Sequence, residues 1–380
     1  MTAPRIVVVG AGHAGLCVVE ALQRRSLRCT VIDGAERLGD VWRSRYEGLR
    51  LNTERDASLV PRTTIAADVG RWPTGQQWAD HIESAAEQLG VDRIRGDVVS
   101  IETGDERAQW RVRLRTDVGD EQLPADVVVV ATGRNRVPEV PKWPGTDSSP
   151  LEVLHAASYR TPAPFIGRKV LVVGAGNSGT EIAHLLSAAG VDVTLSMRTR
   201  PVWARRELFG SNLTEFARLG RRFPRWMVDV SGRLMQPLLF GRMRRHGLGP
   251  PQRKLSRVAE ASGATLDSGF IDDVKAGRVR VVAALDWIDG LRCVLTDGTH
   301  LEPDVVIAGI GYTPALGDLL APHLVRDGWP MVTESPFEQA PGLFTAGLNP
   351  AQLTAFHPDF ITEAEEIATQ IAGATGDTGR

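Results

Sequence analysis

The sequence of 380 residues has only three cysteines, Cys17, Cys29 and Cys293, and no two of them form a C-x-x-C pair. Their wide spacing gives neither a C-x-x-C nor a C-x4-C redox pair and no zinc site with clustered cysteine ligands. Cys17 and Cys29 fall within a predicted helix and a predicted strand, where cysteine ordinarily packs as a small apolar residue. We therefore predict no metal site and a reducing, cytoplasmic setting.

The sequence also lacks long apolar runs and an excess of either charge. No stretch approaches the roughly 20 apolar residues of a membrane-spanning helix. Because the first predicted strand begins near Arg5, we expect no signal peptide. The 44 lysines and arginines nearly balance the 46 acidic residues, and the net charge of −2 gives no reason to expect a nucleic acid partner.

One glycine pattern occurs twice, each time after a buried-strand pattern (6–9 and 170–173) and before a helical one (16–23 and 181–188). Its first glycine makes a tight turn, its second lets the backbone approach a pyrophosphate, and its third lets helix and strand pack closely. The helix N-terminus adds free N–H groups for the phosphates. Two copies predict two dinucleotide sites, formed by Gly10, Gly12, His13 and Gly15, and by Gly174, Gly176, Asn177, Ser178 and Gly179.

The two copies differ at the end of their second strand. Asp33 stands 23 positions after Gly10, and a carboxylate there can accept hydrogen bonds from ribose hydroxyls. The matching position after Gly174 is Met197, and Arg198 and Arg200 follow, which suits a 2′-phosphate. We therefore assign FAD to the first site and NADPH to the second. The alternative for Arg198 is a solvated arginine at a strand end.

The order of these patterns predicts an α/β protein with two Rossmann-like dinucleotide-binding domains, the NADPH domain inserted into the FAD domain. Residues 1–150 form the first part of the FAD domain, 151–301 the NADPH domain, and 302–380 the return segment. An apolar strand at 126–130 leads into Thr132 and Gly133, which we place against the first cofactor. A proline-rich stretch before residue 150 is predicted to be an extended linker.

The segment at about 200–254 is rich in arginine, and apolar residues are interspersed among the cations. A basic amphipathic helical segment of this kind can lie on a membrane surface. The alternative is a helical cover over a substrate pocket with solvated arginines. We favour the cover.

Several local patterns resemble the flavin-containing monooxygenases, and the resemblance covers nearly the whole chain. Residues 39–43, which include Trp42, are similar to their G-G-x-W motif, with Asp40 in place of the second glycine. Residues 49–53 are similar to their L-R-L-N-T stretch, and residues 152–160, which include His155, to their linker signature. Residues 202–207 and 267–281 look like the plant indole-pyruvate (auxin-forming) branch.

The resemblance implies that NADPH reduces FAD, that oxygen then forms a C4a-hydroperoxyflavin, and that a small amine, sulfide, or carbonyl or 2-oxo acid substrate is oxygenated. It places Trp42 near the flavin ring. It also makes Asn52 the catalytic candidate, because its amide can both donate and accept a hydrogen bond. Asn52 could instead cap a turn, and for His155 a structural role in the hinge is the leading expectation.

Two other functions stay open from the sequence. One is an NADPH-dependent flavoprotein reductase or oxidase that inserts no oxygen; the disulfide reductases of this plan need a redox cysteine pair beside the flavin. The other is a membrane-surface or partner-binding protein that keeps the nucleotide folds as a scaffold. The oligomeric state and the exact substrate do not follow from the sequence.

Overall fold

The computed structural model describes residues 3–106, 108–208, 211–212, 223–241, 243–257, 264–331, 338–349 and 357–376. These residues form two compact units. The first contains the described residues of Met1–Ser44, Leu49–Val137 and Tyr312–Arg380. The second contains Arg45–Gly48 and Pro138–Gly311, so it is inserted into the first.

The described residues include eight α-helices, numbered here in chain order. They are α1 (His13–Gln23), α2 (Asp40–Arg43), α3 (Arg55–Ser58), α4 (Gly75–Gln88), α5 (Asn177–Ala188), α6 (Arg225–Phe240), α7 (Phe270–Lys275) and α8 (His357–Gly376).

A six-stranded sheet forms the centre of the first unit. Five strands are parallel and the sixth, at one edge, is antiparallel to its neighbour. Alternate side chains of the strand Ile6–Val9 enter two cores, one against α1, α4 and α8 and one on the opposite face. Burial on both faces explains the uninterrupted valine runs. In spatial order the strands are Glu338–Ala340, Leu343–Thr345, Val127–Val130, Ile6–Val9, Cys29–Asp33 and Arg93–Arg95.

A three-stranded antiparallel sheet packs over the core on the other face of the six-stranded sheet. Its strands are Asp97–Asp105, Ala108–Thr116 and Gly119–Ala125. Trp110, Val112 and Leu114 alternate with exposed or half-exposed residues and point into the core. This is the period-2 pattern of a sheet with one solvated face.

The second unit repeats the plan. Its central sheet is entirely parallel, and a small antiparallel sheet of three strands, Leu285–Asp289, Arg292–Leu295 and His300–Leu301, packs nearby. In spatial order the parallel strands are Val279–Val282, Asp192–Ser196, Lys169–Val173, Val305–Ala308 and Glu152–His155. The predicted α/β class with two dinucleotide-binding folds is therefore confirmed.

The units change over after Val137 and Gly311 instead of after residues 150 and 301. The strand Val305–Ala308 pairs with Lys169–Val173, so it ends the second unit and does not begin the return segment. The proline-rich stretch also belongs to the second unit, because Trp143 packs on its core and the amide of Ile288 donates to the carbonyl of Pro144. The end of the second unit and the place of the proline-rich stretch depend on contacts between residues far apart in the chain, which the composition of a segment does not reveal.

The predicted basic helical segment is not helical throughout. It begins with the strands Trp203–Arg205, Glu207–Leu208 and Ser211–Asn212, and α6 is its only long helix among the described residues. Residues 209–210, 213–222 and 242 of this segment lie outside the described residues.

The other described strands of the chain are Val137–Pro138, Thr265–Asp267, Tyr312–Thr313, Val325–Arg326 and Trp329–Pro330. Of the helices described, none has the length and apolar character needed to cross a membrane.

Close backbone packing fixes where α1 and α5 begin. A Cβ on Gly15 would lie 2.0 Å from the carbonyl oxygen of Gly10, and a Cβ on Gly179 would lie 2.0 Å from that of Gly174. Gly10 also has φ = +105°, which L side chains rarely adopt. Each helix can therefore start directly behind its strand only if these positions are glycine.

We predict that Gly15→Ala destabilises the first unit by about 3 kcal/mol or more, because its methyl group overlaps a backbone oxygen that cannot move. Gly12→Ala is the matched control, since a Cβ on Gly12 meets nothing within 4 Å. Urea unfolding of the cofactor-free variants measures both. Equal loss of stability in the two variants would contradict the packing argument.

Candidate cofactor and active site

The second glycine of each fingerprint has no reason within the protein to be glycine. Gly12 and Gly176 have φ of −75° and −79°, which any residue adopts. A Cβ on either would meet nothing within 4 Å. Each is the N-cap of its helix, with no side-chain hydrogen bond to the helix. A Cβ would therefore fill only the space in front of the first-turn N–H groups, where a pyrophosphate binds.

Asp33 ends the second strand of the first unit with its carboxylate fixed. The amide of Ala11 donates to Oδ2 at 2.7 Å, and the amide of Ala35 donates to Oδ1 at 2.9 Å. The Arg93 guanidinium donates to the carbonyls of Asp33 and Ala35. Each carboxylate oxygen keeps a further lone pair, so Asp33 can still accept from ribose hydroxyls.

Thr132 and Gly133 follow the strand Val127–Val130 beside the first fingerprint. A Cβ on Gly10 would lie 3.3 Å from the amide nitrogen of Thr132. The Thr132 hydroxyl is buried and finds no hydrogen-bond partner among the described residues. A buried hydroxyl without a partner is costly. A ligand that binds along this strand edge would satisfy it, so the first site fits a dinucleotide cofactor.

Glu363 lies close to the same fingerprint, and no sequence pattern above predicted it. The amide of Gly347 donates to Glu363 Oε2 at 3.0 Å, and Gly347 itself packs against Ala14 in the first turn of α1. Glu363 is only 1% exposed. Burial raises its pKa to about 7, against the opposing effects of the Gly347 bond and the Arg134 charge. An acid within the apolar stripe of α8 was the signal that could have identified it.

The side chain of His13 points into the core, away from the helix N-terminus. Its ring stacks on Trp78 with centroids 5.4 Å apart and lies 5.5 Å from the ring of Phe360. At 9% exposure it is buried between α4 and α8. His13 therefore offers a phosphate its backbone amide, while its imidazole packs among aromatic rings.

Asn52 lies in the first unit, next to a fixed residue. Leu51 is buried, and its amide donates to the carbonyl of Pro73 at 2.8 Å. Asn52 follows it in an irregular segment and is exposed. Trp42 on α2 is half-buried and packs against the core that contains α1. The structure therefore leaves the Asn52 amide available and holds part of the Trp42 ring in the core.

In the second fingerprint the Asn177 side chain is committed to the fold. Its Oδ1 accepts the amide of Leu266 at 2.8 Å, which fixes the side chain and leaves the Nδ2 amide group and the backbone N–H as the donors that could meet a phosphate. Ser178 forms a hydrogen bond with the hydroxyl of Tyr46. That hydroxyl also donates to Glu181 on α5 at 2.8 Å, and burial raises the pKa of Glu181. Tyr46 thereby joins Arg45–Gly48 to the second unit.

Arg198 and Arg200 line a cavity of about 360 Å³ at the ends of the strands Asp192–Ser196 and Val279–Val282. Arg200 is partly occupied, because its Nε donates to the carbonyl of Pro250 at 2.9 Å. Arg198 is exposed. Asp297 lines the same cavity, and the hydrogen bond from the Thr299 amide lowers the pKa of Asp297. The cavity can take a phosphate on Arg198, with Asp297 opposing it.

His155 has both ring nitrogens engaged. The amide of Ala157 donates to Nδ1 at 2.9 Å, which leaves Nε2 to carry the proton and donate to the carbonyl of Gly311 at 3.0 Å. Burial lowers the pKa of His155 and favours this neutral form. His155 therefore ties the end of its strand to the last residue of the second unit, as a structural histidine would.

The three cysteines are all described and all free. Cys17 and Cys293 are buried, and Cys29 is half-buried at the start of its strand. Burial raises the pKa of all three thiols, for Cys29 and Cys293 to about 11. A protonated buried thiol is a poor nucleophile, so none of them is poised for thiol–disulfide exchange. The described residues also contain no group of three or more His, Cys, Asp or Glu side chains that could hold a metal ion.

The chain is similar to known proteins over most of its length. The family described as pyridine nucleotide-disulphide oxidoreductase matches residues 7–214. The indole-3-pyruvate monooxygenase YUCCA1 of Oryza sativa subsp. japonica is 30% identical, and the match covers 97% of this chain and 92% of that protein. The probable indole-3-pyruvate monooxygenase YUCCA8 of Arabidopsis thaliana is 27% identical, with 96% and 88% covered.

Solved structures share the fold. A flavin-containing monooxygenase from Stenotrophomonas maltophilia has a TM-score of 0.76 at 22% identity, over 99% of this chain and 100% of that one. An open structure of cyclohexanone monooxygenase has a TM-score of 0.71 at 19% identity, over 100% and 89%. The chain belongs to the pyridine nucleotide-disulphide oxidoreductase family and, within it, to the flavin-containing monooxygenases, which use FAD and NADPH.

Proposed function

We propose that this monooxygenase oxygenates a small 2-oxo acid with O₂ and NADPH. Two relatives that match almost the whole chain are named for indole-3-pyruvate, which is a 2-oxo acid. Small amines and sulfides are the other substrate class to test. One observation carries the oxygenase assignment: two differently charged nucleotide sites occur in a chain whose cysteines are all free and largely buried.

The proposed FAD site uses backbone and side chain for different parts of the cofactor. Gly12 and His13 offer backbone to the pyrophosphate at the N-terminus of α1, and Gly10 and Gly15 supply the turn and the close packing that place them there. Asp33 accepts from the ribose, and the buried Thr132 hydroxyl beside Gly133 takes a polar group of the cofactor. Trp42 would contact the ring system. Bound FAD supplies the redox and oxygen chemistry of the reaction.

The proposed NADPH site repeats this arrangement at the N-terminus of α5. Gly174, Gly176, Ser178, Gly179 and the backbone of Asn177 face the pyrophosphate. Arg198 and Arg200 line the cavity that would take the 2′-phosphate. Arg198 is the principal contact in this proposal, because Arg200 already donates to the carbonyl of Pro250.

Asn52 is the proposed catalytic residue. Its neighbour Leu51 is fixed by burial and by the bond to Pro73, so the fold sets where the Asn52 backbone lies. A carboxamide donates and accepts hydrogen bonds but does not titrate near neutral pH. Asn52 can therefore hold a reacting oxygen group without supplying the proton that would release it as peroxide.

The oxygenase assignment predicts that one atom of ¹⁸O₂ enters the product for each NADPH consumed, measured by mass spectrometry with a 2-oxo acid, an amine and a sulfide as substrates. Parallel reactions in ¹⁸O-labelled water correct for exchange at the carbonyl group. NADPH oxidation that yields hydrogen peroxide and no labelled product with any of the three classes would identify a reductase or oxidase instead.

The cavity predicts that Arg198→Ala weakens NADPH about 10- to 150-fold and leaves NADH nearly unchanged, because a charged hydrogen bond to the 2′-phosphate is lost. Anaerobic flavin reduction at varied cofactor concentration measures both. Arg292→Ala, at an exposed arginine of the same unit that pairs with Glu302, is the control. Asp297→Asn should change NADPH affinity in the opposite direction. Equal loss for NADPH and NADH would show that Arg198 contacts something other than the extra phosphate.

The role of Asn52 predicts uncoupling. Asn52→Ala and Asn52→Asp should each lower the share of NADPH that ends in product about 5- to 150-fold, because a hydrogen bond is lost or replaced by a charge. NADPH-dependent flavin reduction should stay nearly normal. The ratio of hydrogen peroxide to product measures the effect. Unchanged coupling in both variants would make Asn52 a turn residue.

A further inference from the structure

Helix α6 in the second unit has two apolar faces, and only one of them is buried. On the inner face Gly232, Gln236 and Phe240 are buried. Gly232 allows close approach, since a Cβ there would lie 2.8 Å from the Leu255 side chain. Gln236 donates to the carbonyl of Trp203, and Arg205 lies over the ring of Phe240 at 5.7 Å. The helix is thus firmly held on its unit.

The outer face of α6 is apolar and exposed. Trp226 is 66% exposed, Leu234 69% and Leu238 76%. Met227 and Val230 lie on the same face and are also exposed. At 100° per residue these five side chains occupy one arc of about 120°, and they extend along about 18 Å of helix. An exposed apolar surface of this size marks an interaction site.

The segment that carries this face is strongly basic. Residues 223–257 contain eight lysines and arginines and a single acid, Asp229, a net charge of +7 in a chain whose total is −2. Arg233 on α6 and Arg244 and Arg245 just beyond it are exposed. Asp229 is on the inner side, where its carboxylate accepts the amide of Ser256 at 2.9 Å. The charges of Lys254 and Arg233 also act on Asp229, so this acid offsets part of the positive charge on α6, whereas Arg244 and Arg245 lie beyond the helix.

We propose that the outer face of α6 binds the surface of an anionic phospholipid bilayer. Aromatic and aliphatic side chains on one arc with arginines beside them are the features of a helix that lies in the headgroup region. Trp226 suits the interface, where tryptophan is enriched. Each nearby arginine adds attraction to anionic headgroups. A second copy of the chain fits less well, because a twofold contact would bring the same arginines together.

The test uses the flavin-loaded enzyme and vesicles of phosphatidylcholine, alone or with phosphatidylglycerol, in flotation assays at low and high salt. We expect binding to the anionic vesicles only, and weaker binding at high salt. Leu234→Ser/Leu238→Ser should lower the binding constant on the order of tenfold or more, because apolar surface no longer enters the interface. Arg244→Gln/Arg245→Gln should lower it on the order of tenfold.

Ile166→Ser/Leu291→Ser is the matched control, since both residues are exposed apolar residues elsewhere in the same unit. It should leave vesicle binding and NADPH-dependent flavin reduction unchanged. No binding to anionic vesicles would overturn the proposal. An equal loss of vesicle binding in Ile166→Ser/Leu291→Ser would also overturn it. A dimer in sedimentation velocity that Leu234→Ser/Leu238→Ser dissolves, without vesicle binding by the parent, would assign the face to a second copy. A rise in substrate KM alone would make it a pocket cover.

Discussion

The contact between the third glycine and the first glycine's carbonyl oxygen determines the rest of each unit. It forces α1 and α5 to begin immediately behind their strands, with their N-termini at the carboxyl edge of a parallel sheet. Free N–H groups then face outward at that edge, where strand ends from several parts of the chain meet. The site is therefore a consequence of backbone packing, and the side chains around it are free to differ between the two units.

Those side chains give the two sites their different chemistry. The first unit places a fixed carboxylate, Asp33, and an unsatisfied hydroxyl, Thr132, at its sheet edge. The second unit places Arg198 beside a cavity. Gly309, which directly follows the strand Val305–Ala308, packs against Gly179. In our proposal the same fold therefore takes a ribose in one unit and an added phosphate in the other. Burial raises the pKa of Cys29 and Cys293, so neither thiol is poised for disulfide exchange.

Short sequence patterns predicted the features that depend only on residues close together in the chain. Valine runs, glycine turns and the contrast between Asp33 and Arg198 were enough to indicate both sheets, both helices and the two cofactors. Features that depend on contacts far apart in sequence were missed. Glu363 meets Gly347 only because α8 packs on α1, and Asn177 holds Leu266 across 89 positions. The strand Val305–Ala308 was placed in the wrong unit for the same reason, since its partner lies more than a hundred residues earlier.

Charge averaged over the whole chain was a poor guide to binding surfaces. A net charge of −2 combines +7 in residues 223–257 with −9 in the rest of the chain. Screening limits the field of exposed charges to about 8–10 Å, so a partner at one face responds to the local excess and not to the total. The proposed contacts with anionic partners therefore depend on where the arginines lie, both at the cavity beside Arg198 and in the segment that carries α6.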